Sequence, residues 1–178
     1  MGTVGPHSGP KAKDWTILVY GGGVNNLDEA IRKNWDGADD RPLPENVDVF
    51  VRHIDKHGKA VDVHMTSEGT TVVEAQTEPV DSSDPETLGD FFSDGVRRHP
   101  AKRFLAVVSS HGKGAEGVIE DERARRLMSP QGFKAALDVG AAANGGRPID
   151  AVLFDACRMA AMEMACQMVG SATVAIAS

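Results

Sequence analysis

The chain has few of the features that would place it in several large classes of protein. Its 178 residues include only two cysteines, Cys157 and Cys166. No apolar run approaches the roughly 20 residues that a membrane-spanning helix needs. Acidic residues outnumber basic ones by 26 to 19, which gives a formal net charge of −7. A nucleic-acid-binding surface needs a basic stripe, so we expect neither nucleic acid nor a membrane as partner.

The two cysteines are not expected to form a disulfide. If one helix carries both, their nine-residue offset (166 − 157) separates them by about 13 Å along the axis. A disulfide requires Cα atoms within about 7 Å of each other. Residues 1–13 also lack the apolar stretch of a secretory signal and are predicted to be a loose arm. These observations favour a reducing, cytoplasmic compartment.

The remaining residues, 14–178, are predicted to form one α/β domain. The chain is 41% hydrophobic and 25% charged, which is ordinary for a globular protein. Apolar runs typical of buried strands alternate with helical patterns, and this order indicates a parallel sheet with helices on both faces. The predicted strands are 15–20, 47–54, 104–108, 149–154 and 173–177. An exposed hairpin, 61–65 with 70–73, is expected beside the main sheet. Helices are predicted after Asn25 or Asn26, after Asp84, after Ser129 and over 158–169.

Two of these strands lead directly into residues that carry chemistry. The run 104–108 is followed by Ser109-Ser110-His111-Gly112, and 149–154 by Asp155-Ala156-Cys157. The carboxyl ends of parallel strands gather ligands and catalytic groups at one edge of a sheet. An imidazole and a thiol at the same edge are the minimum for thiolate attack on a carbonyl. The sequence therefore predicts a cysteine peptidase.

Each group has a role in this interpretation. A free thiol is mostly protonated at neutral pH, because its pKa is near 8.5. Cys157 is expected at the start of the helix 158–169, where backbone dipoles favour negative charge. His111 would hold the proton and deliver it to the leaving amine. Backbone N–H groups near Gly112 and Cys157 would form the oxyanion hole. No third triad residue is evident.

Other residues favour more ordinary roles. Cys166, within the predicted helix, is expected to be a buried structural residue. His53, His57, His64 and His99 show no ligand spacing, so no metal site is predicted. Gly21-Gly22-Gly23 follows a strand and hints at a phosphate loop, but no G-x-G-x-x-G or G-K-[ST] string accompanies it.

Three motifs together resemble the clostripain family of cysteine peptidases. The opening signature is 15–20 with Asn25-Asn26-Leu27, and the histidine motif is Ser110-His111-Gly112-Lys113-Gly114. The nucleophile motif runs from Asp150 through Phe154-Asp155-Ala156-Cys157 to Met159-Ala160 and Glu163. The resemblance covers residues 15–178. It implies the caspase-like three-layer α/β/α sandwich with a mostly parallel central sheet.

The resemblance also implies site roles. His111 would be the acid/base and Cys157 the nucleophile, and Asp155 would line the pocket that selects Arg or Lys before the cleaved bond. A carboxylate facing a guanidinium is a sound basis for that choice, although Asp155 could instead cap the helix at Cys157. Members of the family are often zymogens activated by self-cleavage after the histidine. In this chain the loop 115–128 contains three candidate cleavage sites, Arg123, Arg125 and Arg126. Alternatively, these arginines are only a solvated run of charge.

The resemblance also bears on the cofactor and on the completeness of the fold. Calcium dependence occurs in the family but is not general, and no EF-hand-like string is present, so no cofactor is expected while calcium stays open. Relatives continue beyond the strand that ends near Ser178, so the fold is expected to be incomplete at its C-terminus. We expect a second subunit or C-terminal fragment to complete it. The alternative function is a catalytically inactive caspase-like scaffold that binds a protein partner. A third and weaker hypothesis is nucleotide binding by Gly21-Gly22-Gly23.

Overall fold

A computed structural model describes residues 12–36 and 42–178 of the protein. Its centre is a seven-stranded sheet. The predicted arm lies almost entirely outside the described residues, and Lys13, its last residue, already begins β1. The sheet strands are β1 Lys13–Gly22, β2 Val47–Ile54, β3 Ala60–Thr66, β4 Gly69–Ala75, β5 Ala101–Ser109, β8 Ile149–Asp155 and β9 Ala172–Ile176.

Five strands of this sheet are parallel. β1 pairs with β2 on one side and β5 on the other, and β5 continues through β8 to β9. The predicted hairpin is β3 and β4, which add to the edge at β2 in antiparallel orientation. The hairpin forms as predicted, at the edge of the main sheet, and most of β4 is exposed. The expected exposure is wrong for β3, because its Val63 and Met65 are buried and the strand extends the sheet.

Helices cover both faces of the sheet. Helix α2, Pro85–Arg98, packs so closely that a Cβ on Gly95 would lie 2.5 Å from Leu18. Helix α3, Pro130–Ala143, lies beside α2, and its Phe133 packs against Phe154 of the sheet. Helix α1, Asp28–Asp36, lies on the opposite face, where its Ile31 contacts Gly21. The predicted three-layer α/β/α sandwich with a mostly parallel central sheet is confirmed.

Local sequence signals explain where the two long helices begin. Asp84 and Ser129 each accept a hydrogen bond from a backbone N–H of the first turn, and a proline follows each of them. Proline suits this position because its missing N–H would have no partner there. Helix α2 ends before Pro100, as the sequence predicts. None of the described helices has the length and apolar character to cross a membrane.

Candidate active site

The carboxyl end of β5 delivers His111 to the edge of the sheet. The preceding residue, Ser110, is buried, and its hydroxyl donates to the carbonyl of Gly22 at 2.8 Å. The buried Asn25 side chain donates to the Ser110 hydroxyl at 3.2 Å and to the Glu120 carbonyl at 2.9 Å. These bonds connect the ends of β1 and β5 with the segment after His111. His111 is therefore held by a buried polar network.

Cys157 lies in a turn after β8, and not at the start of a helix. Helix α4 spans only Met162–Gln167. The helix predicted over 158–169 is therefore wrong in its first turn, because residues 158–161 are not helical. The physical reason is Arg158, whose φ of 61° lies in the left-handed region and interrupts a right-handed helix. No helix dipole therefore acts at Cys157.

Cys166 lies in α4 but is exposed, which contradicts its predicted burial.

The two loops meet at one edge of the sheet. Ser109 is in register with Asp155, and the Ser110 N–H donates to the Asp155 carbonyl at 3.4 Å. Gly112 lies so close to the second loop that a Cβ there would be 2.5 Å from the Cys157 carbonyl oxygen. A cavity of about 430 Å³ opens between the loops, and both His111 and Cys157 line it. The structure thus brings the two predicted catalytic residues together.

Asn26 orients the histidine. Its side-chain oxygen lies 2.6 Å from His111 Nε2. An amide oxygen can only accept a hydrogen bond, so His111 Nε2 is the donor in this contact and Nδ1 is the ring nitrogen without the proton. Sequence reasoning found no third residue for the site. Asn26 is part of the Asn25-Asn26-Leu27 motif, but nothing in that motif shows that its side chain contacts a histidine 85 positions away.

The groups predicted for the oxyanion hole are adjacent. Gly112 and Cys157 approach each other at the cavity, as the close contact above requires. Among residues 12–36 and 42–178, neither backbone N–H donates a hydrogen bond to another residue. Gly112 therefore contributes to the cavity in two ways. Its missing side chain permits the approach, and its N–H remains available to an oxyanion.

Asp155 lines the same cavity. It is an exposed residue, and its Oδ2 accepts a hydrogen bond from the Ser109 hydroxyl at 2.8 Å. It does not cap a helix, because none begins at Cys157. A negative charge held by the sheet within the cavity that contains the thiol is placed to meet a cationic side chain.

The three arginines predicted for processing lie at a tight turn. Strands β6, Val118–Asp121, and β7, Arg126–Met128, form a small hairpin within the predicted loop. Arg123 donates to the Val80 carbonyl at 2.7 Å, and Arg126 pairs with Asp81 at 3.0 Å. Arg125 is exposed with a φ of 53°, and in the described part of the chain it makes no hydrogen bond or ion pair. The turn is therefore accessible, with Arg125 the least restrained of the three.

The glycine run at the end of β1 is packed and does not resemble a phosphate loop. A Cβ on Gly21 would lie 2.7 Å from Ile31, and one on Gly23 would lie 2.7 Å from the Ile54 carbonyl. The glycines permit close approach of neighbouring backbone and side chains. The geometry therefore gives no support to nucleotide binding at this position.

One group of three potential metal ligands occurs among the described residues, Asp48 with His64 and His99. Its two imidazoles do not suit calcium, which takes six to eight oxygen ligands. The group also lies away from the cavity that contains Cys157.

The three-layer fold and the cavity shared by His111 and Cys157 agree with the motifs in the sequence. The sequence model of the clostripain family matches residues 19–178. The chain belongs to the clostripain family, as its motifs predict. A search of curated proteins finds no match.

Solved structures of the same class share this fold. A secreted C11 cysteine protease from Bacteroides thetaiotaomicron, in complex with an irreversible peptide inhibitor, is 21% identical with a TM-score of 0.74. The alignment covers 90% of this chain and 47% of that one. A second structure of a secreted C11 cysteine protease from the same organism, iotapain, is 18% identical with a TM-score of 0.75, covering 92% and 51%. An inactive zymogen C11 protease from Parabacteroides distasonis is 22% identical with a TM-score of 0.66, covering 93% and 48%. The chain therefore spans about half the length of these proteins.

Proposed function

We propose that this chain carries the nucleophile and the acid/base of a cysteine endopeptidase that cleaves after arginine or lysine. One observation carries the proposal: His111, Cys157 and Asp155 line a single cavity at the edge of the sheet. The family membership supports the same chemistry. The sequence alone suggests these residues, and their placement in one cavity is what makes a concerted role plausible.

The proposed reaction follows from the positions of these groups. His111 Nδ1 takes the thiol proton, and the Cys157 thiolate attacks the peptide carbonyl. The N–H groups of Gly112 and Cys157 hold the resulting oxyanion. The imidazolium then gives its proton to the leaving amine, so that the C–N bond breaks and an acyl-enzyme remains. Water, deprotonated by the same imidazole, releases the carboxylic acid and restores the thiol.

The nucleophile can be tested with an internal reference, because both cysteines are exposed. We expect iodoacetamide to label Cys157 faster than Cys166 in the folded protein. A His111→Ala change should slow labelling of Cys157 alone, and Cys157→Ala should abolish peptide hydrolysis. Equal labelling rates at the two cysteines, unaffected by His111→Ala, would contradict the proposal. That result would favour the inactive scaffold.

The preference for a basic residue is assigned to Asp155. A charge-assisted hydrogen bond contributes about 1.5–3 kcal/mol, which corresponds to roughly 10- to 100-fold in rate. Asp155→Asn should therefore reduce kcat/KM for an arginyl substrate by about that factor. It should have little effect on a matched substrate with norleucine. Ser109→Ala is the matched control, since it removes the hydroxyl that orients Asp155 and keeps the charge. An equal loss on both substrates would argue against the specificity role.

Self-cleavage at the exposed turn is the proposed route of activation. Arg125 is the least restrained of the three arginines, and its neighbours Arg123 and Arg126 hold the turn in place. Mass spectrometry of the purified protein should find cleavage after one of them, with Arg125→Gln slowing it most. The Cys157→Ala variant should remain intact. Cleavage that persists in this variant would show that another protease performs it.

A second polypeptide segment is proposed to complete the fold. The face of the sheet that carries α1 retains an apolar cavity of about 390 Å³, lined by side chains of β1, β2, β5 and β8. The edge strand β9 leaves Val174 and Ile176 about half exposed. An unpaired edge strand with apolar side chains is a ready site for another strand. Hydrogen exchange of the β9 amides should slow in the presence of the completing segment; exchange that stays fast would contradict this role.

A further inference from the structure

A cluster of titratable residues lies at the end of the sheet opposite the cavity. Asp48 is the second residue of β2, His64 belongs to β3, and His99 caps the C-terminal end of α2. Asp48 is in register with Thr16, and Thr16 with Phe104, which is five residues before Ser109. At 3.3 Å per residue the cluster is about 16 Å or more from the catalytic edge. The proposed peptidase chemistry does not use it.

The three side chains converge on one point. One potential ligand atom from each residue lies within 4.8 Å of the other two. His64 Nε2 is 3.3 Å from Asp48 Oδ2, and the rings of His64 and His99 have centroids 4.0 Å apart. Metal–ligand bonds of about 2.0–2.2 Å in a tetrahedral site place the ligand atoms about 3.4 Å apart. Small side-chain movements would therefore bring all three atoms to bonding distance.

Three polar atoms of the cluster are buried without a well-aligned hydrogen bond to a described residue, namely Asp48 Oδ1, His64 Nε2 and His99 Nε2. Two of them have a polar neighbour: Lys13 Nζ lies 3.2 Å from Asp48 Oδ1, and Asp48 Oδ2 lies 3.3 Å from His64 Nε2. Asp48 and His99 are only 6% and 8% exposed. Buried polar groups are nearly always satisfied, and an exception calls for an explanation such as an ion. A cation shared by the three side chains would supply the interaction that these buried groups lack.

A lysine occupies the edge of the cluster. Lys13 Nζ lies 3.2 Å from Asp48 Oδ1 and also donates to the Glu45 carbonyl at 2.7 Å. The side chain of Lys13 is 28% exposed, so it can swing into solvent. Its ammonium neutralises Asp48 in the metal-free protein and would compete with a cation for the same carboxylate.

We propose that Asp48, His64 and His99 bind a divalent transition-metal ion of the zinc type, with a fourth position open to water. Two imidazoles and one carboxylate suit zinc and its neighbours and do not suit calcium or magnesium. The ion would join the paired strands β2 and β3 to the end of α2. The role is structural. It stabilises the sheet edge that carries the β3–β4 hairpin.

The test uses the full chain carrying Cys157→Ala, because the thiol and His111 could themselves bind zinc. After removal of metal with a chelator, calorimetric titration with Zn²⁺ should give one equivalent per chain. Titration with Co²⁺ should give visible d–d absorption without the near-ultraviolet thiolate band. That absence distinguishes the cluster from a site at Cys166. Binding should also raise the Tm of the protein.

Substitutions then assign the site. His64→Gln, at a partly exposed position, should weaken Zn²⁺ binding at least tenfold, and Asp48→Asn should do the same. His57→Gln, an exposed histidine elsewhere, should leave the affinity unchanged. Lys13→Met should tighten binding, a gain that misfolding cannot produce. Failure of the parent protein to bind micromolar Zn²⁺, or binding that neither His64→Gln nor Lys13→Met alters, would overturn the proposal. Neither result bears on the peptidase activity, which is tested separately.

Discussion

Replacing Gly112 with alanine should separate the two halves of the active site. The added Cβ would lie 2.5 Å from the Cys157 carbonyl oxygen and 2.6 Å from Met159 Sδ. Real Cβ atoms essentially never approach another heavy atom closer than 3.0 Å. The methionine can move aside, but the carbonyl belongs to the backbone of the nucleophile itself. The histidine loop must therefore shift away from Cys157 by at least about half an ångström, since 3.0 − 2.5 is 0.5.

This shift gives an expected magnitude for catalysis. A displacement of about 1 Å between reacting groups can reduce the rate roughly 100-fold. Gly112→Ala should therefore reduce kcat/KM on an arginyl peptide by about 10- to 100-fold and slow labelling of Cys157 by iodoacetamide. Overpacking of this kind also destabilises a protein by about 1–3 kcal/mol. Urea unfolding measures that loss separately from activity.

Gly89→Ala is the matched control for this change. Gly89 lies in α2, and a Cβ there would meet only the Val139 side chain, at 3.3 Å. That contact is tight but far from the catalytic loops, so stability changes while the activity of the folded protein does not. If Gly112→Ala folds and keeps kcat/KM within about threefold of the parent, the two loops do not form the site as described.

Three further substitutions test one contact of the site and two buried charged or titratable groups elsewhere in the fold. Asn26→Ala should lower kcat about fivefold to tenfold with little change in KM, because one hydrogen bond orients His111 and contributes about 1 kcal/mol; steady-state kinetics with unchanged kcat would contradict this. Asp62→Asn should reduce the free energy of unfolding by about 3–5 kcal/mol, since Arg52 donates to Asp62 at 2.7 and 2.6 Å and would remain buried without its counter-charge. A loss below about 1 kcal/mol in urea unfolding would be inconsistent with that burial. Burial lowers the pKa of His53, despite the opposing effect of a nearby carboxylate. The unfolded chain therefore takes up a proton first as the pH falls below about 6.5, and stability should decrease there. His53→Gln should flatten this dependence, and a parent whose unfolding midpoint does not change with pH would refute it.

Long-range placement of the site was predictable because it follows from topology. Two apolar runs in the sequence are each followed by a reactive side chain, the imidazole of His111 and the thiol of Cys157. This pattern predicts that both residues lie at one edge of a parallel sheet. The register of β5 with β8 places Ser109 opposite Asp155 and so brings the two loops together. Nothing about side-chain orientation was needed for that step. The Asp84 and Ser129 caps were predictable for a similar reason, because a capping residue followed by proline is a local signal.

Contacts between distant residues could not be predicted in the same way. The β3–β4 hairpin has the sequence of an exposed hairpin, and only its pairing with β2 shows that it belongs to the sheet. The contact of Asn26 with His111 joins positions 85 apart. The cluster of Asp48, His64 and His99 comes from three separate elements, so no spacing along the chain marks it. Pattern and composition describe neighbours in sequence, whereas these features depend on neighbours in space.

The turn at Cys157 changes the account of how the thiol is activated. At a helix start, backbone dipoles would stabilise the thiolate independently of any partner. With Arg158 in a left-handed conformation and α4 beginning only at Met162, that contribution is absent. In the proposed mechanism, activation then depends on the position of His111, which Asn26 orients and the network around Ser110 holds. A site of this kind should respond strongly to small movements of the histidine loop, and Gly112, at the point where that loop meets Cys157, is where such a movement is most easily imposed.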